Sequence, residues 1–490
     1  MSPTEEILED VRVAHPEPVL AVSPRLLIAA VIATGIAFDL MARSSIGGLA
    51  GVALALALIA VVACSRRVRL DGAARVALAL AAMTSLLLGL RTSEWLVPLN
   101  FLAVAIVVFV AASLPSIATW RDLPVGALSI RTLDAVVALL AGPALLRRAT
   151  NTTGAAARHE SRARAAPVVR GLLLALPVIA VLCALLASGD AVFASFFTSG
   201  ADPGPLLARL ALAAIGVWCA AAVWWFACNE WEPMSTRPPF RLGVTEAAIV
   251  LGSLVAVYAL FVASQIVARG ADVSYILQTT GLTRAEYARS GFFQLLWAAG
   301  LTLLVLLGLH WFVGADRRAP VILPVLQVAT IGLTVSVVVI AVRRLGLYSD
   351  AYGLTMLRLY CTVFAWWLGA VMVVTGIYLV RHWPHRWLPV AIGALAFATL
   401  VALNVANPER IVVEHNLAHA AEGADIDLDY FTNLSDDAVP ALVAGVDQLS
   451  PRDAAILTGR LCARTHENEP WYGANLSTAR ANAALADLCG

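Results

Sequence analysis

Three short polar stretches break an otherwise apolar chain, and they hold the residues best suited to chemistry or binding. The first is Glu286-Tyr287-Ala288-Arg289-Ser290-Gly291, with Tyr275 before it and an apolar block after it. Glu286 and Arg289 stand three apart, so on a helix they would pair on one face. The second is Arg343-Arg344, then Tyr348-Ser349-Asp350-Ala351-Tyr352, with Arg358 about one turn into the next apolar block. The third is Asn404, Asn407, Pro408 and Glu409, where the last apolar block ends. Opposite charges interleaved with tyrosines at a water–lipid boundary would form a pocket for a polar ligand or a lipid headgroup. The candidate binding set is therefore Glu286, Tyr287, Arg289, Arg343, Arg344, Tyr348, Asp350, Tyr352 and Arg358. A plainer alternative has the three arginines 343, 344 and 358 pairing with Glu286 and Asp350 to hold short loops. Tyrosine also belongs at membrane interfaces for amphipathic reasons alone.

Other chemistries find little support. All 34 basic residues are arginine, which excludes a Schiff-base lysine for pyridoxal phosphate and a phosphate-loop lysine. Of the seven cysteines, Cys64, Cys183, Cys219, Cys361 and Cys228 lie in or at the end of apolar blocks, where free thiols act as small hydrophobes. No C-x-x-C pattern exists, and His382 and His385 have no obvious partner ligands, so neither a metal nor a cofactor is called for. His310 is a lone histidine within an apolar block, more in keeping with packing than with proton transfer. No basic stripe with interleaved aromatics exists to bind nucleic acid.

The elements that must position the polar stretches follow from composition. The chain is 60% hydrophobic and 14% charged, with a mean hydropathy of +0.81, against about 25% charged residues in a soluble domain. Its apolar residues fall in blocks long enough to cross roughly 30 Å of hydrocarbon. In that medium each backbone N–H and C=O needs an internal partner, so the blocks must be helices. The expected fold is all-α, a polytopic transmembrane bundle of about eleven spans with a small helical C-terminal extramembrane domain. We place spans at Leu26–Leu40, Gly48–Cys64, Ala73–Leu90, Trp95–Ser113, Val169–Ser188, Pro205–Ala227, Val244–Val267, Phe292–Val313, Val321–Val342, Leu357–Val380 and Trp387–Asn404.

Arginine placement orients them. The basic loops are Arg66/Arg67/Arg69, Arg147 to Arg170, Arg317/Arg318 and Arg381/Arg386, and positive loops stay cytoplasmic. All four share one side only if Leu123–Leu146, which contains Arg131 and Asp134, is interfacial or re-entrant. The N-terminus is then cytoplasmic, the C-terminus extracytoplasmic, and all three polar stretches lie on the outer side. The organisation reads as a flexible cytoplasmic leader (1–24), an N-terminal transmembrane group (25–149), a cytoplasmic linker (150–166), a C-terminal transmembrane group (167–404) and an acidic helical domain (405–490).

That last domain carries five arginines against thirteen acidic residues. Ser450-Pro451-Arg452-Asp453 places a serine at an N-cap, proline at the first helical position and an acid by the positive end of the dipole. Ser435 and Asn475 or Ser477 provide two further starts. Three helices of about 10 to 14 residues follow, too short to stand alone. An extracytoplasmic tail would also permit a Cys462–Cys489 disulfide.

Several of these motifs resemble those of a known family. Glu286-Tyr287-Ala288-Arg289-Ser290-Gly291-Phe292-Phe293, Leu347-Tyr348-Ser349-Asp350-Ala351-Tyr352-Gly353-Leu354-Thr355, Asp436-Asp437-Ala438-Val439-Pro440-Ala441-Leu442 and Trp471-Tyr472-Gly473-Ala474-Asn475-Leu476-Ser477 are similar, in order, to the bacterial domain of unknown function 4173 family of polytopic membrane proteins. The resemblance runs from about residue 172 to the C-terminus. It implies a bacterial membrane location and supplies no activity or catalytic residues. Three functions compete. The first is a non-enzymatic binding, sensing or transport role at an outer polar site, with membrane lipids as partners. The second is a membrane-embedded transferase on a lipid-linked substrate, with Asp39 as its acid. The third is a structural envelope protein whose acidic domain docks a partner.

Overall fold

The computed structural model describes residues 24–43, 48–64, 72–113, 204–228, 242–270, 291–313, 321–381, 387–423, 426–464 and 471–489. Among them every regular element is a helix. The apolar helices are α1 (Pro24–Arg43), α2 (Gly48–Cys64), α3 (Gly72–Leu86), α4 (Leu96–Ser113), α5 (Gly204–Cys228), α6 (Val244–Gly270), α7 (Phe292–Val313), α8 (Ile322–Tyr352), α9 (Met356–Arg381) and α10 (Trp387–Ala406). Ten of the eleven predicted spans coincide with these helices. The eleventh, Val169–Ser188, lies outside the described residues, as do Leu123–Leu146, the leader and the linker. Five of the helices, α6 to α10, are long and apolar enough to cross a membrane, and the other five are shorter apolar helices.

The helices pack in two sets. Helix α1 lies along α5 and α2, and α3 packs with α2 and α4. Small residues permit the tightest of these crossings. A Cβ on Gly35 would sit 2.7 Å from the Ala213 carbonyl, and one on Gly216 would sit 2.9 Å from the Gly35 Cα. Such close backbone approach is how transmembrane helices gain packing energy without a hydrophobic drive between them. In the second set α8 is central, lying against α6, α7 and α9, while α10 packs on α9. The bundle's outward face is apolar: Leu260, Trp297 and Val321 are 74%, 78% and 77% exposed. Apolar surface on this scale marks a membrane-embedded protein rather than a soluble one.

Helix α8 departs from expectation. Its predicted end was Val342, because Arg343-Arg344 terminates the apolar run. The helix continues ten residues further to Tyr352 and stops at Gly353, whose φ of 75° ends helical geometry. Hydropathy sets where a helix leaves the lipid, whereas a helix breaker sets where it ends. The polar stretch expected as a short loop is thus a rigid helical projection.

The C-terminal domain follows directly from α10 through α11 (Pro408–Ala421), then α12 (Leu428–Thr432), α13 (Val439–Gly445), α14 (Pro451–Cys462) and α15 (Leu476–Cys489). The α14 cap is as read from sequence, with the Ser450 hydroxyl accepting from the Asp453 N–H and Pro451 opening the helix. Phe431, Leu442, Leu457, Leu461 and Ala481 form its buried core together with Val412 and Val413 of α11. Met356, at the start of α9, belongs to the same core, so the domain is continuous with the bundle it sits on. Cys462 and Cys489 are joined as a disulfide, with Cα atoms 5.8 Å apart.

Candidate functional site

Both polar sites lie at the end of the bundle that carries the helical domain. There the start of α2, the turn between α3 and α4, the α8–α9 connection and the end of α10 all meet domain residues. The Leu49 N–H donates to the Ala474 carbonyl at 3.2 Å, and Gly48 adopts φ 65° against the Gly473 backbone.

The deeper of the two sites is centred on Arg91, in the turn before α4. Its Nη1 donates to Asp437 Oδ1 at 3.1 Å, while Nε and Nη2 donate to the Asn404 carbonyl at 2.8 and 2.5 Å. The side chains of Arg91 and Asp437 are only 11% and 1% exposed. Asp437 Oδ2 also accepts from the Thr92 and Ser93 N–H groups at 3.0 and 2.9 Å, and Oδ1 accepts from the Ser477 hydroxyl. Asn475 donates to the Arg91 carbonyl at 2.9 Å. Asn100 of α4 and Asn404 of α10 exchange side-chain amide hydrogen bonds at 3.1 and 2.8 Å. The ring of Trp95 stacks on Tyr360 of α9 at 5.6 Å. This knot joins the two helix sets to each other and to the domain.

Glu409 lies on its edge. Asn407, at φ 55°, caps α11 by accepting from the Arg410 N–H, and Pro408 and Glu409 form the first turn. Glu409 is buried, and its Oε2 accepts from the Ser435 N–H and hydroxyl at 2.9 and 2.8 Å. Burial pushes its carboxyl above the ordinary range; hydrogen bonds from Ser435 oppose this, and the nearby Asp437 charge adds to it. The Ser93 hydroxyl lies beside that carboxyl without proper hydrogen-bond geometry. The Tyr360 hydroxyl is also buried, with no hydrogen-bond partner among the described residues.

The shallower site is the predicted one. Glu286, Tyr287 and Arg289 lie outside the described residues. The other six are brought together on the α8 projection and the first turn of α9. Arg343 is exposed. Arg344 donates to Gln265 of α6 at 2.9 Å. Arg358 donates to the Tyr352 and Gly353 carbonyls and lies 4.2 Å over the Tyr348 ring, which in turn sits 5.0 Å from Tyr352. Asp350 is exposed, and its carbonyl meets His419 of the domain. Among the described residues, neither Arg343 nor Arg358 pairs with an acid, Asp350 included. The domain clamps the connection below: the Asn416 side chain brackets Leu354, accepting from its N–H at 2.7 Å and donating to its carbonyl at 2.8 Å. The Tyr430 hydroxyl accepts from the Met356 N–H at 2.8 Å.

Sequence reading found the third polar stretch but missed its centre. Arg91 stood in a turn with no local partner to draw attention to it, and α11 was overlooked although Asn407-Pro408-Glu409 has cap, proline and acid in order. No metal-ligating group of three or more side chains occurs among the described residues.

The fold and this end of the molecule define a membrane-embedded all-helical protein with a helical domain docked on one end of its bundle. The chain belongs to the family described as Domain of unknown function (DUF4153), whose model matches residues 76–445. This corrects the sequence-based assignment to a family of a different number, and both are families of unknown function. The match also begins inside α3, so it takes in the Arg91 turn, which the resemblance had left among generic spans. No curated protein matches the chain, and no solved structure does.

Proposed function

We propose that the chain is a non-enzymatic, multi-pass protein of the bacterial cytoplasmic membrane that binds an anionic group, of the lipid phosphate kind, at the outer water boundary. The observation that carries this reading is the α8 projection. From Ile322 to Val342 the helix is apolar, a length of about 30 Å at 1.5 Å per residue, matching the hydrocarbon thickness. Arg343 and Arg344 follow at once, so they stand at headgroup depth with Tyr348, Tyr352 and Arg358 above them. Among the described residues no acid pairs with exposed Arg343, and such a guanidinium is a fork for phosphate oxygens.

The reading has eleven spans, a cytoplasmic N-terminus and an extracytoplasmic helical domain. The Cys462–Cys489 bridge supports that side, because disulfides persist in oxidising compartments. In nanodiscs, lipid co-purification and titration should favour phosphatidylglycerol over phosphatidylcholine, and Arg343→Ala should abolish the preference. Inorganic phosphate that competes equally would point to a soluble anion. An unchanged preference in the variant would sink the reading. A reporter fused after Gly490 and active only outside the membrane tests the orientation independently.

A further inference from the structure

We propose that Glu409 holds a proton when the helical domain is seated on the bundle, making the junction a latch that acidification tightens. The buried knot holds one guanidinium, Arg91, which pairs with Asp437, and a second buried carboxyl, Glu409, lies near enough to Asp437 to feel its charge. Arg91 is fully engaged, with Nη1 on Asp437 and Nε and Nη2 on the Asn404 carbonyl. No cation pairs with Glu409 among the described residues. Arg410 turns outward to Glu414 at 2.6 Å, and Arg358 is held by backbone carbonyls and the Tyr348 ring. The other titratable groups near this point are the phenols of Tyr360 on α9 and Tyr430 on α12, and the Arg464 guanidinium, which donates to the Thr432 and Leu434 carbonyls beside Ser435 rather than to Glu409. A second buried negative charge without a cation is costly, and a proton removes it.

The hydrogen bonds that Glu409 accepts favour its ionised form, and burial outweighs them. Ser435 satisfies Oε2 with two donors, which leaves Oε1 to carry the proton.

The sign follows from linkage. The seated carboxyl binds its proton more tightly than the same group freed to water. Seating is therefore strongest below the ordinary glutamate range and weakens as pH rises towards the raised value, with a slope limited to about tenfold per pH unit for one proton. Hydrogen exchange of the full-length protein in nanodiscs, corrected for intrinsic rates, reads this at peptides covering residues 90–96 and 435–438. In the wild type the opening equilibrium at both peptides should rise with pH. In Glu409→Gln, which keeps the acceptor for Ser435 and adds a neutral donor, it should be flat and stay at the acid-side level. A pH-independent wild type, or an E409Q profile of unchanged slope, would overturn the latch. Should E409Q not assemble, infrared spectra of the wild type with isotope-labelled glutamate decide. A protonated-carboxyl band that persists above the ordinary glutamate range and disappears over the same pH interval in which the two peptides open supports the proposal, and its absence overturns it.

Discussion

Two arginine sites share one end of this molecule and do opposite things with the same side chain. Arg91 is buried, and its guanidinium is held by Asp437 and a backbone carbonyl, while Asp437 takes three further donors. Arg343, on the α8 projection, is exposed and has no acid beside it among the described residues. Completeness of partners separates the roles. A buried cation held through all three of its nitrogens locks the structure, whereas an exposed one keeps its donors available to a ligand. Arg358 lies between these cases, tied by carbonyls and a ring but without a countercharge among the described residues.

The comparison is broken most easily at Arg91. Arg91→Ala leaves the Asp437 carboxylate buried and unpaired, and the expected loss is about 3–5 kcal/mol, read by thermal unfolding in nanodiscs. The sharper test replaces both partners, as Arg91→Met with Asp437→Leu. A bare ion pair often tolerates such replacement. Here the Thr92 and Ser93 N–H groups and the Ser477 hydroxyl would lose their acceptor, so the double variant should remain clearly destabilised. Full recovery would reduce the knot to a simple pair.

Next in size is the Cys462–Cys489 bridge, which spans 27 residues. Its loss in a Cys462→Ser, Cys489→Ser variant should cost about 2–4 kcal/mol, measured as the domain's unfolding midpoint. The same midpoint should fall in the wild type on treatment with a strong reductant, and an unshifted midpoint would show the bridge to be dispensable.

Gly48→Ala should cost about 1–3 kcal/mol. The position has φ 65°, and a Cβ there would lie 2.5 Å from the Gly473 carbonyl oxygen. Faster hydrogen exchange confined to residues 471–475 and 48–50 would be the signature. The smallest effect on stability belongs to Arg343→Ala, within about 0.5 kcal/mol, even as lipid preference is lost. A large loss of stability there would move Arg343 into the structural class and erase the contrast with Arg91.

Much of the scaffold was legible because it depends on local composition. An apolar block must become a helix in lipid whatever surrounds it, so the bounds of α2 and α7 came out as read. Ser450-Pro451 announced α14 for an equally local reason, since a cap acts on the N–H groups of its own first turn. The end of α8 was misread because loss of hydropathy was taken as loss of helix.

By itself, then, the sequence determined the all-helical membrane class of the protein, its apolar helices and the capped start of α14. Each is settled within one or two turns of chain by backbone hydrogen bonding and solvent. Only the tertiary structure decided which polar residues form a lock and which stay open. Arg91 finds Asp437 across 346 residues, and a second buried carboxyl, Glu409, is brought close to Asp437. Pairing at such separation leaves no local pattern, because it depends on which helix ends the packed bundle brings together.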